Sequence, residues 1–283
     1  MRAVKLPIFP YGHFYSPITD TADMEVRADE IWRQVEHSMH GIDLRPDKHV
    51  EILTRWFPEF LPQYAYPDEG DPNDPTGFFS LNDQFSWLDA RALHVFLCKL
   101  RPARVIEVGS GFSSLLIADV NERQFDGACD FVCIEPYPRE FLKRGVRGVT
   151  RLIEQRVEKV PLTEFSLLDR GDVLFIDSSH VAKTESDVLY LFFQVLPTLS
   201  SGVVVHIHDI FLPSEYPKEW VIEQNRSWNE QYTLQPLLMY STRYRVLFGS
   251  AYAAASHPSA VVTALARADG HGMGGGSFWI EIV

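Results

Sequence analysis

A chain of 283 residues with a formal charge of −12 and a pI near 5.3 has room for one large α/β domain with an appendage, or for two small domains. The acidic balance argues against broad nucleic-acid binding and favours neutral or cationic ligands. Three cysteines, Cys98, Cys129 and Cys133, are too few and too irregular for a disulfide framework or a zinc ribbon. No run reaches the roughly 20 apolar residues of a bilayer span. Pro7 and Pro10 interrupt the N-terminal apolar run before a signal-peptide core can develop. A cytoplasmic protein with no membrane or nucleic-acid partner is therefore expected.

Residues 1–75 read as an accessory region, a candidate lid or homodimer surface, set apart from a main domain over 76–283. Prolines 7, 10 and 17 flank an extended aromatic segment containing Tyr11, His13, Phe14 and Tyr15. Ala28, Ile31, Trp32 and Val35 recur at helical spacing, predicting a helix from Asp20 to about Met39. A second short helix is predicted over Lys48–Phe57, bounded by Pro46 and Pro58, with a loop from Pro62 to Pro75.

From Asp83 to Leu100 one apolar face predicts a helix, ended by Arg101-Pro102. Strands are predicted at Arg104–Val108, Asp130–Glu135, Thr150–Glu154, Asp172–Asp177, Gly202–His208, Tyr244–Phe248 and Ser277–Val283. Helices are predicted between them at Ser113–Asn121, Arg139–Lys143, Glu185–Leu196, Ser227–Tyr240 and Ser259–Arg267. Strands alternating with helices imply an α/β fold: a Rossmann-like, doubly wound, mostly parallel sheet with an N-terminal helical extension.

In such a sheet, ligands bind outside the carboxyl ends of the strands. The first strand ends in Glu107 and the turn Gly109-Ser110-Gly111. The second ends in Glu135, 24 residues after Gly111, where a carboxylate can accept both hydroxyls of a ribose. The fourth ends in Asp177-Ser178-Ser179-His180, and the fifth in His206-Ile207-His208-Asp209. A dinucleotide fold wants a third glycine where Ser114 stands, and nothing beyond the helix N-terminus is there to receive a pyrophosphate. Glu107 suits a cation better, and S-adenosylmethionine carries a sulfonium and an ammonium but no phosphate.

Over about residues 83–283 the chain resembles the class I S-adenosylmethionine-dependent methyltransferases. The resemblance rests on Val105-Ile-Glu-Val-Gly-Ser-Gly111, Cys133-Ile-Glu135, Leu174-Phe-Ile-Asp177 and Leu199-Ser-Ser-Gly-Val-Val-Val205. Phe175–His180 followed by His208-Asp209 is similar to the small-molecule O-methyltransferase branches. The departure is Ser113, where many members carry a third glycine.

The resemblance implies a seven-stranded sheet closed by an antiparallel last strand. It implies Gly109, Ser110, Gly111 and Ser113 beneath the methionine portion of the cofactor and Glu107 near its ammonium. Glu135 and Pro136 would lie beside the ribose, Arg156 at the adenine, and Asp177 at the reacting end. Methyl transfer to a small-molecule hydroxyl is the expected reaction, with Asp177, His180 and His208 as candidate catalytic groups and His13, Tyr15 and His180 around the acceptor. Some members bind a divalent metal such as Mg2+ through acids at the ends of strands four and five, which here are Asp177 and Asp209. Two other readings of the same residues stand beside this one: an NAD-dependent dehydrogenase, and a metal-centred oxygenase or hydrolase built on His180, His208 and Asp209.

Overall fold

A computed structural model describes residues 6–33, 38–85, 87–265 and 274–283. Seven strands form one sheet: β1 (Arg104–Val108), β2 (Asp130–Ile134), β3 (Arg151–Ile153), β4 (Val173–Ile176), β5 (Val204–Ile207), β6 (Tyr244–Gly249) and β7 (Phe278–Ile282). Their spatial order is β3-β2-β1-β4-β5-β7-β6. Every pairing is parallel except those of β7, which runs antiparallel to both β5 and β6. The strand order reverses direction between β1 and β4, which is where a crevice opens in doubly wound sheets.

Strand alternation sorts the core into two layers. Val105, Phe131, Cys133, Val173 and Phe175 face the helices Trp87–Leu100 and Phe112–Phe125. Ile106, Val108, Val132, Ile134, Leu174 and Ile176 face the opposite layer, with Val188, Leu191, Phe192 and Leu234. Both faces are covered, which explains why β4 and β5 are apolar at nearly every position.

Several predicted boundaries move, each for a local reason. The helix expected over Asp20–Met39 is two short pieces, Thr21–Val26 and Ala28–Ile31, broken at Arg27. Only Ala28 is buried there, so little apolar contact rewards a longer helix; Val35 lies outside the described residues. The helix expected at Lys48–Phe57 runs further, from Pro46 through a wide turn at Ile52–Trp56 to Phe60. Pro58 sits in the first turn of the last piece, where its missing N–H costs little. Ile52, Leu53 and Phe57 from this segment enter the first core layer.

The predicted start of the next helix moves from Asp83 to Trp87. Asn82 takes over the preceding turn, accepting the N–H of Phe85 and donating to the carbonyls of Phe79 and Phe85. The helix predicted at Glu185–Leu196 is α-helical only over Asp187–Tyr190; a wide turn follows at Leu191–Val195 and a tight one around Pro197. A helix at Ser250–Ser256 had no counterpart in the sequence reading, and the last helix spans Pro258–Leu265. Arg267 and the first part of the glycine tract lie outside the described residues.

Candidate active site

The glycine turn leaves β1 at the crevice. Gly109 has φ +81°, and a Cβ there would stand 1.7 Å from the carbonyl oxygen of Asp177 at the end of β4. Gly109 is therefore required for β1 and β4 to end side by side. Gly111, with φ −159° and ψ −128°, has open surroundings, so its bareness widens the crevice instead. The helix Phe112–Phe125 starts there, and Ser114 Oγ accepts the N–H of Gly111 at 3.0 Å.

Two adjoining clefts surround this turn. One, of about 350 Å³, is lined by Gly109, Glu135, Pro136, Tyr137, Arg156 and Asp177, among others. The second, of about 260 Å³, reaches Gln84, Ser110, Gly111, Ser113 and Arg139 and shares Gly109, Glu135, Tyr137 and Asp177 with the first. Eight of the nine sequence-derived cofactor candidates thus border one groove. Glu135 accepts the N–H groups of Ser110 at 3.2 Å and Tyr137 at 2.8 Å, so its carboxylate ties the ends of β1 and β2 together.

Glu107 is the exception. It shares the face of Val105, so its side chain turns beneath the helix Phe112–Phe125 and is fully buried. Its carboxylate accepts the hydroxyls of Ser113, at 2.7 Å, and Ser114, and the Cys133 thiol lies 3.5 Å away. Burial pushes its pKa up to about 7 despite those bonds. The expectation of a charge beside the cofactor ammonium is not met by this geometry: Glu107 supports the turn from below. The signal was available in the strand pattern, since residues 105 and 107 share a face.

The ends of β4 and β5 bring four expected residues together. His180 Nε2 lies 3.4 Å from Asp177 Oδ1 and 3.5 Å from Asp209 Oδ2. His208 Nδ1 lies 3.4 Å from the same Asp177 oxygen and 3.6 Å from Asp209 Oδ1. His180 and Asp209 both adopt positive φ, 59° and 57°, a strained backbone for residues with a Cβ. Gly276 makes room for this, because a Cβ there would meet the Asp209 backbone.

Electrostatics couple the cluster. Burial opposes charge on every member. In His180 the bonds to Asp177 and Glu230 win, and its pKa rises to about 10. His208 is also raised, against burial, by Asp209 and Asp177. Asp177 is driven well below the carboxylate range, because its two imidazole neighbours outweigh desolvation. Asp209, more poorly paired, is raised by burial.

His206 stands apart from the cluster's chemistry. It is fully buried, its ring centroid is 4.0 Å from that of Phe175, and Nε2 lies 2.8 Å from Ser277 Oγ. Burial holds it neutral, as a core histidine.

His13 and Tyr15, expected at the acceptor, sit elsewhere. The His13 ring stacks with Phe9 and Phe14, and Tyr15 is exposed beside them. The structure shows no contact from this patch to the strand ends among the described residues. The N-terminal segment instead meets the loop after β5 a little later in the chain: the Thr19 N–H donates to Ser227 Oγ at 3.2 Å, and Trp32 Nε1 donates to the Tyr216 carbonyl at 2.8 Å. That loop brings Trp228 to 4.3 Å from the His180 ring, ring centre to ring centre.

Sequence reasoning missed Tyr137, Glu158 and Arg139 on the cleft walls, and Asp89 and Glu230 behind the histidines. Tyr137 and Arg139 follow Glu135 closely and were legible as neighbours. Asp89 and Glu230 lie far away in the chain and gave no local signal.

Residues 106–210, from β1 through the end of β5, match the model of a methyltransferase domain family. The chain is a class I S-adenosylmethionine-dependent methyltransferase. The match encloses the glycine turn, Glu135 and the Asp177–Asp209 cluster in one domain. An uncharacterized protein of Archaeoglobus fulgidus is 34% identical to this methyltransferase over 188 residues, spanning 63% of this chain and 83% of that protein.

Solved structures are more distant. One from Klebsiella pneumoniae, described as an O-methyltransferase, has a TM-score of 0.42 at 10% identity over 82% of this chain and 89% of that one. A protein-L-isoaspartate O-methyltransferase structure from Plasmodium falciparum, in complex with S-adenosyl-L-homocysteine, has a TM-score of 0.29 at 12% identity over 66% and 81%. The methyltransferase assignment displaces both the dehydrogenase and the oxygenase or hydrolase readings. Among the described residues no helix is long and apolar enough to cross a membrane.

Proposed function

We propose that this methyltransferase delivers its methyl group to a hydroxyl oxygen of a small molecule bound against Asp177, His180 and Asp209. The observation that carries the reading is the double role of Asp177. Its carbonyl backs Gly109 in the cofactor groove, while its carboxylate faces His180 and His208. A hydroxyl placed there lies next to the cofactor's reacting end. It also meets the Asp209 carboxylate, raised by burial and able to take its proton, and an imidazole able to steady the oxygen.

In this reading Glu135 holds the ribose hydroxyls, and Tyr137 and Arg156 flank the adenosine side. Trp228, beside His180, excludes water from the acceptor. Residues 1–75 act as an accessory region, clamped to the acceptor loop through Thr19 and Trp32.

The same cluster fits a divalent metal. One ligand atom from each of Asp177, His180 and Asp209 can be chosen so that all lie within 4.8 Å of one another. An imidazole with two carboxylates suits Mn2+, Fe2+ or Zn2+ better than Mg2+. A metal held there would lower the pKa of the acceptor hydroxyl.

Calorimetry with S-adenosylhomocysteine and with NAD tests the cofactor groove, the first expected to bind and the second not. Transfer of tritiated methyl from S-adenosylmethionine to a panel of phenols, catechols and sugars tests the acceptor class. Label recovered on nitrogen acceptors alone would overturn the hydroxyl assignment.

A further inference from the structure

Each histidine of the cluster is held from behind by a buried carboxylate that belongs to a distant part of the chain. His208 Nε2 lies 3.3 Å from Asp89 Oδ2, and Asp89 also accepts the N–H groups of Gly276 at 2.8 Å and Ser277 at 3.0 Å. Those backbone bonds give Asp89 a structural reason to exist. Glu230 has none of that kind.

Glu230 opens the helix Glu230–Leu238 and is fully buried. Its Oε2 lies 2.8 Å from His180 Nδ1, and its Oε1 has no hydrogen-bond partner among the described residues. The carboxylate bonds no helix N–H, so capping does not account for it. A carboxylate buried with one bare oxygen is disfavoured against a glutamine or an apolar side chain of the same size. Stability alone does not explain its presence.

The backbone around it is arranged to aim the ring. The N–H groups of Asn229 and Glu230 both donate to the His180 carbonyl, at 3.1 and 3.2 Å. Asn229 Oδ1 accepts the Ala182 N–H at 2.6 Å, and Asn229 Nδ2 donates to the Ala182 carbonyl at 3.2 Å. These bonds fix the strained His180 backbone, and Trp228 covers the ring. The one remaining freedom is ring rotation about Cβ–Cγ, which would put Cδ2 where Nδ1 stands and Cε1 where Nε2 stands, taking both nitrogens off their partners. The Glu230 bond stops it.

We propose that Glu230 is the positioning residue of the acceptor site: by holding Nδ1–H of His180 it makes Nε2 the ring atom offered between Asp177 and Asp209. The inference rests on the reading of this cluster as the acceptor site. It adds a division of labour in which Asp177, His180 and Asp209 meet the ligand and Glu230 acts only through His180. A ligating or hydrogen-bonding imidazole backed by a carboxylate in this way has its tautomer and orientation fixed in advance.

The test is imidazole NMR of the full chain labelled with 15N-histidine, with His180→Gln used to assign the ring signals. The wild type should show a slowly exchanging, low-field Nδ1 proton on His180. That proton should move upfield in Glu230→Gln, where a neutral amide replaces the carboxylate, and be lost in Glu230→Met. Native near-UV circular dichroism and unchanged S-adenosylhomocysteine affinity would show that the fold is intact. Should Glu230→Met fail to fold, the isosteric Glu230→Gln, which keeps the backbone bonds, decides alone. A His180 proton at the same position in Glu230→Gln, or none in the wild type, overturns the proposal. Full turnover in Asp177→Asn would instead remove the acceptor from the cluster while leaving the ring signals readable, so the two failures are distinguishable.

Discussion

Gly109 and Asp177 touch through backbone: a Cβ on the first would fall 1.7 Å from the carbonyl oxygen of the second. This contact joins the cofactor turn to the acceptor cluster, and it makes Gly109 the least replaceable residue of the groove. Gly109→Ala adds the clash to a φ of +81°, and backbone strain of this kind costs about 1–3 kcal/mol before any displacement of β4 is counted. The variant should melt lower and lose measurable S-adenosylhomocysteine binding. Gly111→Ala, which meets only Gln84 Oε1 at 3.7 Å, should fold normally. Equal melting temperatures for the two variants would contradict the account.

Glu135 already accepts two backbone N–H groups, from Ser110 and Tyr137. Its removal should both free the turn and take away the ribose acceptor. Glu135→Ala is expected to weaken S-adenosylhomocysteine binding by about 1–3 kcal/mol, the range for lost hydrogen bonds to a charged group. Isothermal titration measures this directly, and unchanged affinity would exclude Glu135 from the ribose site.

Glu107 makes a pH prediction of its own. Its pKa rises from an ordinary 4.5 to about 7 in the fold, chiefly through burial. The folded state therefore holds the proton more tightly than the unfolded one. The resulting stabilisation is complete below about pH 4.5 and is lost as pH rises toward 7. A shift of this size amounts to at most about 3 kcal/mol. Glu107→Gln, neutral at all pH, should escape the loss, so its melting temperature relative to the wild type should climb across that window. Because Glu107 lies beneath the turn, S-adenosylhomocysteine affinity should change little. A large loss of affinity would restore the expectation that Glu107 faces the cofactor ammonium.

The sheet was legible because its strands are short apolar runs, four of which lead into polar residues at their carboxyl ends. The last strand, Phe278–Ile282, was readable from its apolar run after the glycine tract. The cofactor groove was legible because Gly109, Gly111 and Glu135 fall close together in sequence and serve adjacent strands. What could not be read depends on distance along the chain. Glu230 meets His180 across 50 positions, and Asp89 meets His208 across 119. Composition and spacing carry no trace of such pairs. The aromatic segment around His13 misled in the other direction, since local density of rings does not say where a segment docks. Short helices near Arg27 and Leu191 were overcalled because periodicity persists where tertiary contacts bend the backbone.

A metal at Asp177, His180 and Asp209 would need all three donors. Titration of the metal-free protein with Mn2+ should show one site, and Asp209→Asn should weaken it at least about tenfold, as expected when a charged ligand is lost. Glu135→Ala, outside the cluster, should leave Mn2+ affinity unchanged. Equal Mn2+ binding by the wild type and Asp209→Asn would place the metal elsewhere.

Asp177→Asn separates binding from chemistry. The backbone carbonyl that packs against Gly109 is untouched by the substitution, and asparagine is nearly isosteric, so the groove should keep its shape and S-adenosylhomocysteine its affinity. The carboxylate is different. It faces His180 Nε2 and His208 Nδ1, both at 3.4 Å, and its side chain is 28% exposed, enough to reach a ligand. Its charge helps keep both imidazoles protonated, so that His180 can donate to the acceptor oxygen. Removing it should lower turnover by roughly 10²–10⁴, the usual range for lost acid–base assistance, with little change in KM for S-adenosylmethionine. A variant with wild-type turnover would move the chemistry away from the end of β4. One that fails to bind S-adenosylhomocysteine would instead assign Asp177 to the cofactor.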